Sequence, residues 1–198
     1  MTRQSSRTTE IQRSITLHGL TDIMFDRYAG DNKTELAPGQ KLNFDADGKT
    51  VVVPSVNIIS FLCAQNTRSA AKRFMDARKY MGVAEAILSY VAVSPFQIPL
   101  TREGTPVVFH GFDGDEDEKG GLYIHRCVAR LPKGIPNPKV RPVVRLPWEL
   151  SFNLTMFQNE EVSEDMLQSF FVRGGMAIGL GTFRGVFGKF KVAEWKEI

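Results

Sequence analysis

Glycines, cations and aromatic rings alternate near the C-terminus, in the segment 174–192. This segment holds six of the seventeen glycines of the chain. Glycine lets the backbone adopt positive φ angles and lets a phosphate or a second backbone approach closely. Because Arg184, Lys189 and Lys191 lie among these glycines, the segment is typical of a site that binds an anion. The alternative is a flexible connection between a helix and a strand, in which the rings are buried and the cations are solvated.

The residue pattern that ends this segment predicts a surface for nucleic acid. A strand that begins near Val186 would place Phe190 on its inner face. Its open face would then carry one aromatic ring and two cations, Phe187, Lys189 and Lys191. Rings stack on nucleic-acid bases and cations contact phosphates, so this composition favours binding of a single strand. In the alternative interpretation, Phe187 packs beneath a neighbouring segment and the lysines protect an edge strand.

Two further groups of cations are candidates for the same groove. The first lies in and around a predicted helix and comprises Arg68, Lys72, Arg73, Arg78 and Lys79. The second lies in a proline-rich loop and comprises Lys133, Lys139, Arg141 and Arg145. Each cation that neutralises a phosphate adds salt-dependent affinity. Both groups are equally compatible with a solvated helix face and a solvated loop.

Catalytic chemistry has few candidates in this sequence. His18 lies on the polar side of a predicted first strand and is the best candidate for a general acid or base. Asp22 and Asp26 follow it but have no third matched ligand, so we predict neither a metal site nor a cofactor. The acidic run 113–118 lacks the spacing of an EF-hand, and we interpret it as a solvated hairpin tip or a docking site for an electropositive partner. The sequence therefore favours a binding protein over an enzyme.

Hydrophobic periodicity predicts an α+β fold in the order strand, helix, strand, insertion, strand, helix, strand. The predicted elements are a strand around 15–17, a helix from Ser55 that restarts over 69–75, a buried strand over 86–93, a strand over 148–156, a helix from Ser163 to about Arg173, and a closing strand from about Val186. Many prolines and the acidic run mark residues 95–147 as a β-rich insertion. A βαβ-βαβ core of the ferredoxin or RNA-recognition type accommodates this order.

Composition is compatible with one domain. The 198 residues carry a net charge of +3 and a pI near 8.9, which permits nucleic-acid binding without requiring it. We predict a disordered basic tail over 1–12 and a single domain over 13–198. Cys63 and Cys127 are interpreted as reduced structural thiols. Because no apolar run reaches membrane-spanning length, we expect a cytoplasmic protein without a membrane partner.

The run Gly-Leu-Gly-Thr-Phe-Arg-Gly-Val-Phe-Gly-Lys-Phe at 179–190, preceded by a strand and a helix, resembles the C-terminal signature of the RAMP superfamily. That family includes backbone and processing subunits of CRISPR effector complexes, with a ferredoxin-like core. The resemblance implies that four glycines line a loop that approaches RNA, namely Gly179, Gly181, Gly185 and Gly188. It also implies that Arg184 and Lys189 contact phosphates.

The resemblance implies a binder of single-stranded RNA or DNA that oligomerises along the strand. A phage or mobile-element protein with the same architecture is equally compatible. Two alternatives stay open. One is a metal-independent endoribonuclease that uses His18. The other is a structural or partner-binding protein, of phage origin, in which the glycine-rich strand is an assembly edge.

Overall fold

Antiparallel strands and helices that pack on them make up the computed structural model, which describes residues 10–31, 33–65, 68–130 and 136–198. Its strands are β1 (Glu10–Gly19), β2 (Ile23–Met24), β3 (Val52–Pro54), β4 (Val91–Ser94), β5 (Gln97–Arg102), β6 (Thr105–Pro106), β7 (Glu116–Asp117), β8 (Leu122–Arg130), β9 (Pro136–Val144), β10 (Glu149–Phe157) and β11 (Phe190–Glu197). Its helices are α1 (Ser55–Cys63), α2 (Ala70–Phe74), α3 (Tyr80–Tyr90), α4 (Glu164–Ala177) and a short 3-10 helix, Pro38–Lys41. The fold is therefore of the α+β class, as the sequence predicts.

The larger sheet runs in the order β11-β1-β10-β5-β3, with β4 also paired to β10 and β6 paired to β5. In the pair of β1 and β10, Ile15 lies opposite Phe152 and Leu17 lies opposite Leu150. All four of these side chains are buried, because alternation along each strand turns them toward the helices. The alternation predicted for 148–156 is confirmed.

Aromatic rings join the helices to this sheet. The Phe61 ring of α1 lies with its centroid 5.5 Å from that of Phe171 in α4 and 5.4 Å from that of Phe190 in β11. Each of the three rings is fully buried, and burial of one such side chain contributes about 1.5–3 kcal/mol. The last helix and the last strand are therefore fixed to α1, and the connection between them has two rigid ends.

Helix α4 begins where the sequence predicts and ends later. The Ser163 hydroxyl accepts a hydrogen bond from the Met166 amide at 3.3 Å, which caps the helix. The helix continues past Arg173 to Ala177, so the predicted end at Gly174 is wrong. A side chain at Gly174 would meet the Phe61 ring at 2.5 Å. Close packing explains this glycine, and it does not terminate the helix.

The predicted buried strand over 86–93 is also wrong in part. Residues up to Tyr90 belong to α3, and only Val91–Ser94 form a strand. Val83 and Ile87, one helical turn apart, are buried, whereas Leu88 is exposed. A short apolar run cannot distinguish a buried strand from the buried side of a helix, and here the preceding turns of α3 extend the helix.

The smaller sheet has the order β2-β9-β8-β7 and lies within the predicted insertion, except for β2. Within 95–147, β5 and β6 belong to the larger sheet, so they are an extension of the core. Leu122 and Val144 of the smaller sheet are part of the same buried cluster as the rest of the protein. The hairpin of β8 and β9 is therefore anchored in the core at the end that holds Leu122 and Val144.

The acidic run 113–118 is partly neutralised within the chain. Asp115 pairs with Arg126 at 2.6 Å, and Glu116 pairs with Arg145 at 2.6 Å. The buried Asp117 carboxylate accepts hydrogen bonds from two backbone amides, those of His110 and Gly120. The predicted docking site for an electropositive partner is thus partly occupied by arginines of this protein.

At the N-terminus, β1 already begins at Glu10, so residues 10–12 belong to the sheet and not to the predicted tail. Residues 1–9 lie outside the described residues. Among the residues that the structure describes, no helix is both long enough and apolar enough to cross a membrane.

Candidate nucleic-acid interface

The glycine-rich loop, residues 178–189, connects α4 to β11 and lies on the segment that joins β1 to β2. The Leu180 amide donates to the Gly188 carbonyl at 2.9 Å, which closes the loop on itself. The Thr182 amide donates to the Met24 carbonyl at 2.9 Å, and the Gly188 amide donates to the Asp22 carbonyl at 2.7 Å. These bonds fix the loop against residues that precede it by about 160 positions. The loop is therefore part of the folded core and not a flexible connection.

Close backbone approach explains three of the loop glycines. Gly181 has a φ of +74°, and a Cβ there would lie 2.4 Å from the Met24 carbonyl oxygen. Gly188 has a φ of +71°, and a Cβ there would lie 1.9 Å from the Leu180 carbonyl oxygen. Gly179 is similar, since its Cβ would lie 2.8 Å from the Gly188 carbonyl oxygen. Gly185 differs, because the nearest atom is Nη1 of Arg68 at 3.7 Å.

The surroundings of Arg184 distinguish it from the other cations of the loop. Its Nη1 donates to the Arg68 carbonyl oxygen at 3.1 Å. Burial lowers the pKa of Arg184, because a charged group loses hydration when it leaves water. Within the described ranges, no carboxylate lies within 4.0 Å of this guanidinium. A half-buried positive charge without a carboxylate partner favours binding of an anion.

Arg184 lines a cleft of about 380 Å³, which we call the loop cleft. Its walls are the glycine-rich loop, the start of α1 and the segment after β2. The start of α1 contributes Val56 and Asn57, and it has neither a side-chain cap nor an acidic residue in its first turn. The Ser55 amide donates to the Phe96 carbonyl at 2.8 Å, and the remaining amides of the first turn and the helix dipole make this end of α1 positive. The cleft therefore combines a helix N-terminus with an arginine, which is a suitable arrangement for a phosphate.

A second cleft of about 260 Å³ adjoins the first and shares Asp26, Arg27 and Tyr28 with it; we call it the lysine cleft. It extends to Lys41 and Lys139. Asp26 is neutralised by Arg141 at 2.7 Å, and Lys41 is buried and paired with Glu35. In this part of the described chain, Arg27 and Lys139 have no carboxylate within 4.0 Å. The two clefts form one continuous path. Among the described residues that line it, the cations Arg27, Lys139 and Arg184 have no carboxylate within 4.0 Å.

Phe187 does not occupy the predicted open face of a strand. The closing strand begins at Phe190, so Phe187 lies in the loop. Its ring lies 5.3 Å from the imidazole of His125 in β8 and 6.1 Å from the ring of Phe183. The alternative interpretation, in which Phe187 packs beneath the insertion, agrees with this placement. Phe183 is the more exposed ring.

The predicted site residues in and just before α2 differ from one another in their surroundings. Arg68 lies beside Gly185 and Arg184 and so belongs to the interface. Lys72 donates from Nζ to the Gln65 carbonyl at 2.8 Å, and Arg73 is exposed on α2. Neither of these two lines a described cleft.

Lys189 is the last residue of the loop, and its amide donates to the Thr21 hydroxyl at 3.0 Å. Lys191 is exposed on β11 and lies opposite His18 of β1. Its neighbour Phe190 is buried and Val192 is partly buried against the core, so the predicted inner and outer faces of this strand are confirmed over residues 190–192.

The catalytic and metal candidates are engaged in structural contacts. His18 Nε2 lies 3.7 Å from Glu149 Oε1 on the side of the larger sheet away from the helices. The Asp22 carboxylate accepts hydrogen bonds from the Leu146 amide and the Tyr123 hydroxyl. In the described ranges, no three His, Cys, Asp or Glu side chains come together as a metal site.

Of the cations predicted in the proline-rich loop, three lie among the described residues, and of these three Lys139 alone has no carboxylate within 4.0 Å. Arg141 and Arg145 are paired with acidic residues, as described above, and Lys133 lies outside the described residues. Sequence reasoning missed Arg27, Tyr28 and Phe183. Arg27 and Tyr28 lie in a long polar segment without periodicity, and more than 150 residues separate them from Arg184, so local patterns gave no signal. For Phe183 the sequence did carry a signal, since it is an aromatic residue within the glycine-rich loop.

Comparison with known proteins supports the fold only. No protein-family model matches the sequence, and no curated protein matches it. A chain in the cryo-EM structure of the type III-B Cmr-beta bound to cognate target RNA is similar, with a TM-score of 0.55 and 13% identity. The similarity covers 96% of this chain and 61% of that chain. This protein therefore spans about three fifths of the length of that neighbour and has a similar fold.

Proposed function

We propose that this protein binds single-stranded RNA through the loop cleft and the lysine cleft. One observation carries the proposal: the half-buried Arg184 has no carboxylate partner among the described residues and lines the same cleft as the N-terminus of α1. A folded protein loses free energy when it holds a charge in this way, unless a ligand compensates it. A phosphate of the strand supplies that compensation, and Arg27, Arg68 and Lys139 attract the flanking phosphates.

We also propose that the core is ferredoxin-like and belongs to the RAMP type. The strand order β11-β1-β10-β4, with helices α1–α3 before β4 and α4 before β11, supports this assignment. The position of the glycine-rich loop between the last helix and the last strand supports it as well. The similar chain comes from a complex bound to target RNA, which favours RNA over DNA as the ligand. By the same reasoning, the protein acts as one of several subunits arranged along the strand, without catalysing a reaction.

The test is fluorescence anisotropy with labelled single-stranded RNA and with DNA of the same sequence. Arg184→Ala removes a charge-assisted hydrogen bond, worth about 1.5–3 kcal/mol, so we expect the Kd for RNA to rise about 10- to 100-fold. The salt dependence of log Kd should become shallower by about 0.7.

Arg126→Ala is the matched control. It also removes one arginine charge. Arg126 follows His125 in β8 and so lies on the face of that strand away from the loop, where it pairs with Asp115. The variant should leave the Kd unchanged. Equal affinities of Arg184→Ala and the unaltered protein, or no binding of RNA by either, would refute the proposal. Size-exclusion chromatography with RNA measures whether several copies assemble on one strand.

A further inference from the structure

Phe183 lies at the tip of the glycine-rich loop in a conformation that its side chain disfavours. Its φ is +53°, in the left-handed region that bulky residues rarely adopt. Glu103 also has positive φ, but it precedes Gly104 in the two-residue turn between β5 and β6, where positive φ is usual. No turn of this kind explains the positive φ of Phe183. Glycine is the usual residue for such a φ, and it occupies four other positions of the same loop. Strain of this kind is concentrated at functional sites.

Burial does not offset this strain. The side chain of Phe183 is 50% exposed, and it is absent from the buried core cluster. A non-glycine residue in this region costs about 1–2 kcal/mol, and a half-exposed ring outside the core recovers only part of what full burial would contribute. This combination favours a use of the ring outside the stability of the free protein.

The ring of Phe183 is nevertheless held in a defined place. Its centroid lies 6.1 Å from that of Phe187, with an angle of 36° between the planes. The Phe187 ring in turn lies edge-on to His125 of β8 at 5.3 Å. The Phe183 carbonyl accepts hydrogen bonds from the amides of Val186 and Phe187, which fixes the turn. These contacts support one side of the ring and leave half of its surface open.

Arg184 follows Phe183 directly and lines the loop cleft. Phe183 does not line that cleft itself; it lies at the exposed tip of the same loop, one residue before Arg184. A planar apolar surface one residue from the cation proposed to bind phosphate matches one nucleotide, whose base is flat and whose phosphate is charged. We propose that Phe183 is the base-stacking platform of the RNA site and that Phe187 and His125 support it. This inference rests on the proposed function and assigns to Phe183 the stacking that the sequence predicts for Phe187.

The experiment compares Phe183→Leu and Phe183→Tyr with the unaltered protein, and it measures Kd for a labelled RNA and for the same ribose-phosphate strand without bases. Leucine keeps an apolar side chain and the strained φ but cannot stack, whereas tyrosine keeps the stacking ring. We expect Phe183→Leu to raise the Kd for RNA about 5- to 100-fold, to leave the Kd for the strand without bases unchanged, and Phe183→Tyr to bind as the unaltered protein does. Val186→Ala, at an exposed apolar position of the same tip, is the control and should have no effect.

A second variant, Phe183→Gly, removes the ring and the strain together, so it retains the fold and should weaken RNA binding to the same extent. Unchanged RNA affinity of Phe183→Leu and Phe183→Gly, together with weakened binding by Arg184→Ala, overturns the stacking role and leaves the proposed function standing. A changed mass in solution with unchanged RNA affinity also overturns it, because the loop tip is then a contact for protein. Absence of RNA binding by the unaltered protein overturns the proposed function itself.

Discussion

Alanine at Gly188 should destabilise the protein far more than alanine at Gly185, although both residues have positive φ. The φ values are +71° and +94°, and an L residue in the left-handed region costs about 1–2 kcal/mol at either position. At Gly188 the added Cβ would also lie 1.9 Å from the Leu180 carbonyl oxygen. At Gly185 it would meet only the end of the Arg68 side chain, at 3.7 Å.

The magnitude follows from what the loop must give up to relieve the clash. Movement of residue 188 breaks two hydrogen bonds, from the Leu180 amide to the Gly188 carbonyl and from the Gly188 amide to the Asp22 carbonyl. Each is worth about 0.5–1.5 kcal/mol. Gly188→Ala should therefore be less stable than Gly185→Ala by about 1–3 kcal/mol, which corresponds to a melting temperature about 2–12 °C lower for a chain of this size.

The assay is thermal unfolding followed by circular dichroism, with urea unfolding as a second measure of the free energy. Gly185→Ala is the internal control, because it adds the same methyl group at another position of positive φ in the same loop. A melting temperature of Gly188→Ala equal to or above that of Gly185→Ala would contradict the view that close backbone packing requires the loop glycines.

Two further predictions concern titratable groups. Glu164 accepts hydrogen bonds from Arg13 and Trp195, and the bond to Arg13 is the main reason that its pKa lies below the ordinary value of 4.5. A carboxyl whose pKa is depressed by folding contributes stability above that ordinary value and loses it as the pH falls through the folded-state pKa. The free energy of unfolding should thus be about 1–3 kcal/mol lower for Glu164→Gln at pH 7, and the difference should shrink in urea titrations as the pH falls below about 4.5; a difference independent of pH would contradict the assignment. Burial raises the pKa of Cys63 to about 11, so at pH 8 a maleimide should label Cys127 in the folded protein and Cys63 only after unfolding, as mass spectrometry of the labelled peptides would show; equal labelling rates before unfolding would contradict it.

Local patterns determined the elements that have enough repeats to be distinctive. The alternation over 148–156 predicted β10, because five apolar residues that alternate with four polar residues exceed what chance produces. Ser163 predicted the start of α4, since a cap acts on amides three residues away. The strand predicted over 86–93 was wrong in part, because its apolar residues fit both the helical and the strand period. Only the burial of Val83 and Ile87 in the core decides in favour of the helix.

The sequence by itself also determined the character of the candidate site, namely a glycine-rich loop with Arg184 between the last helix and the last strand. Only the tertiary structure decided which cations are available there. Arg141 and Asp26 are separated by 115 positions along the chain, and they neutralise each other because the smaller sheet brings β9 next to the segment after β2. The same packing places Arg27 beside the loop and turns Phe187 into a support for Phe183. Charge pairing depends on distance in space, and composition and periodicity report only distance along the chain.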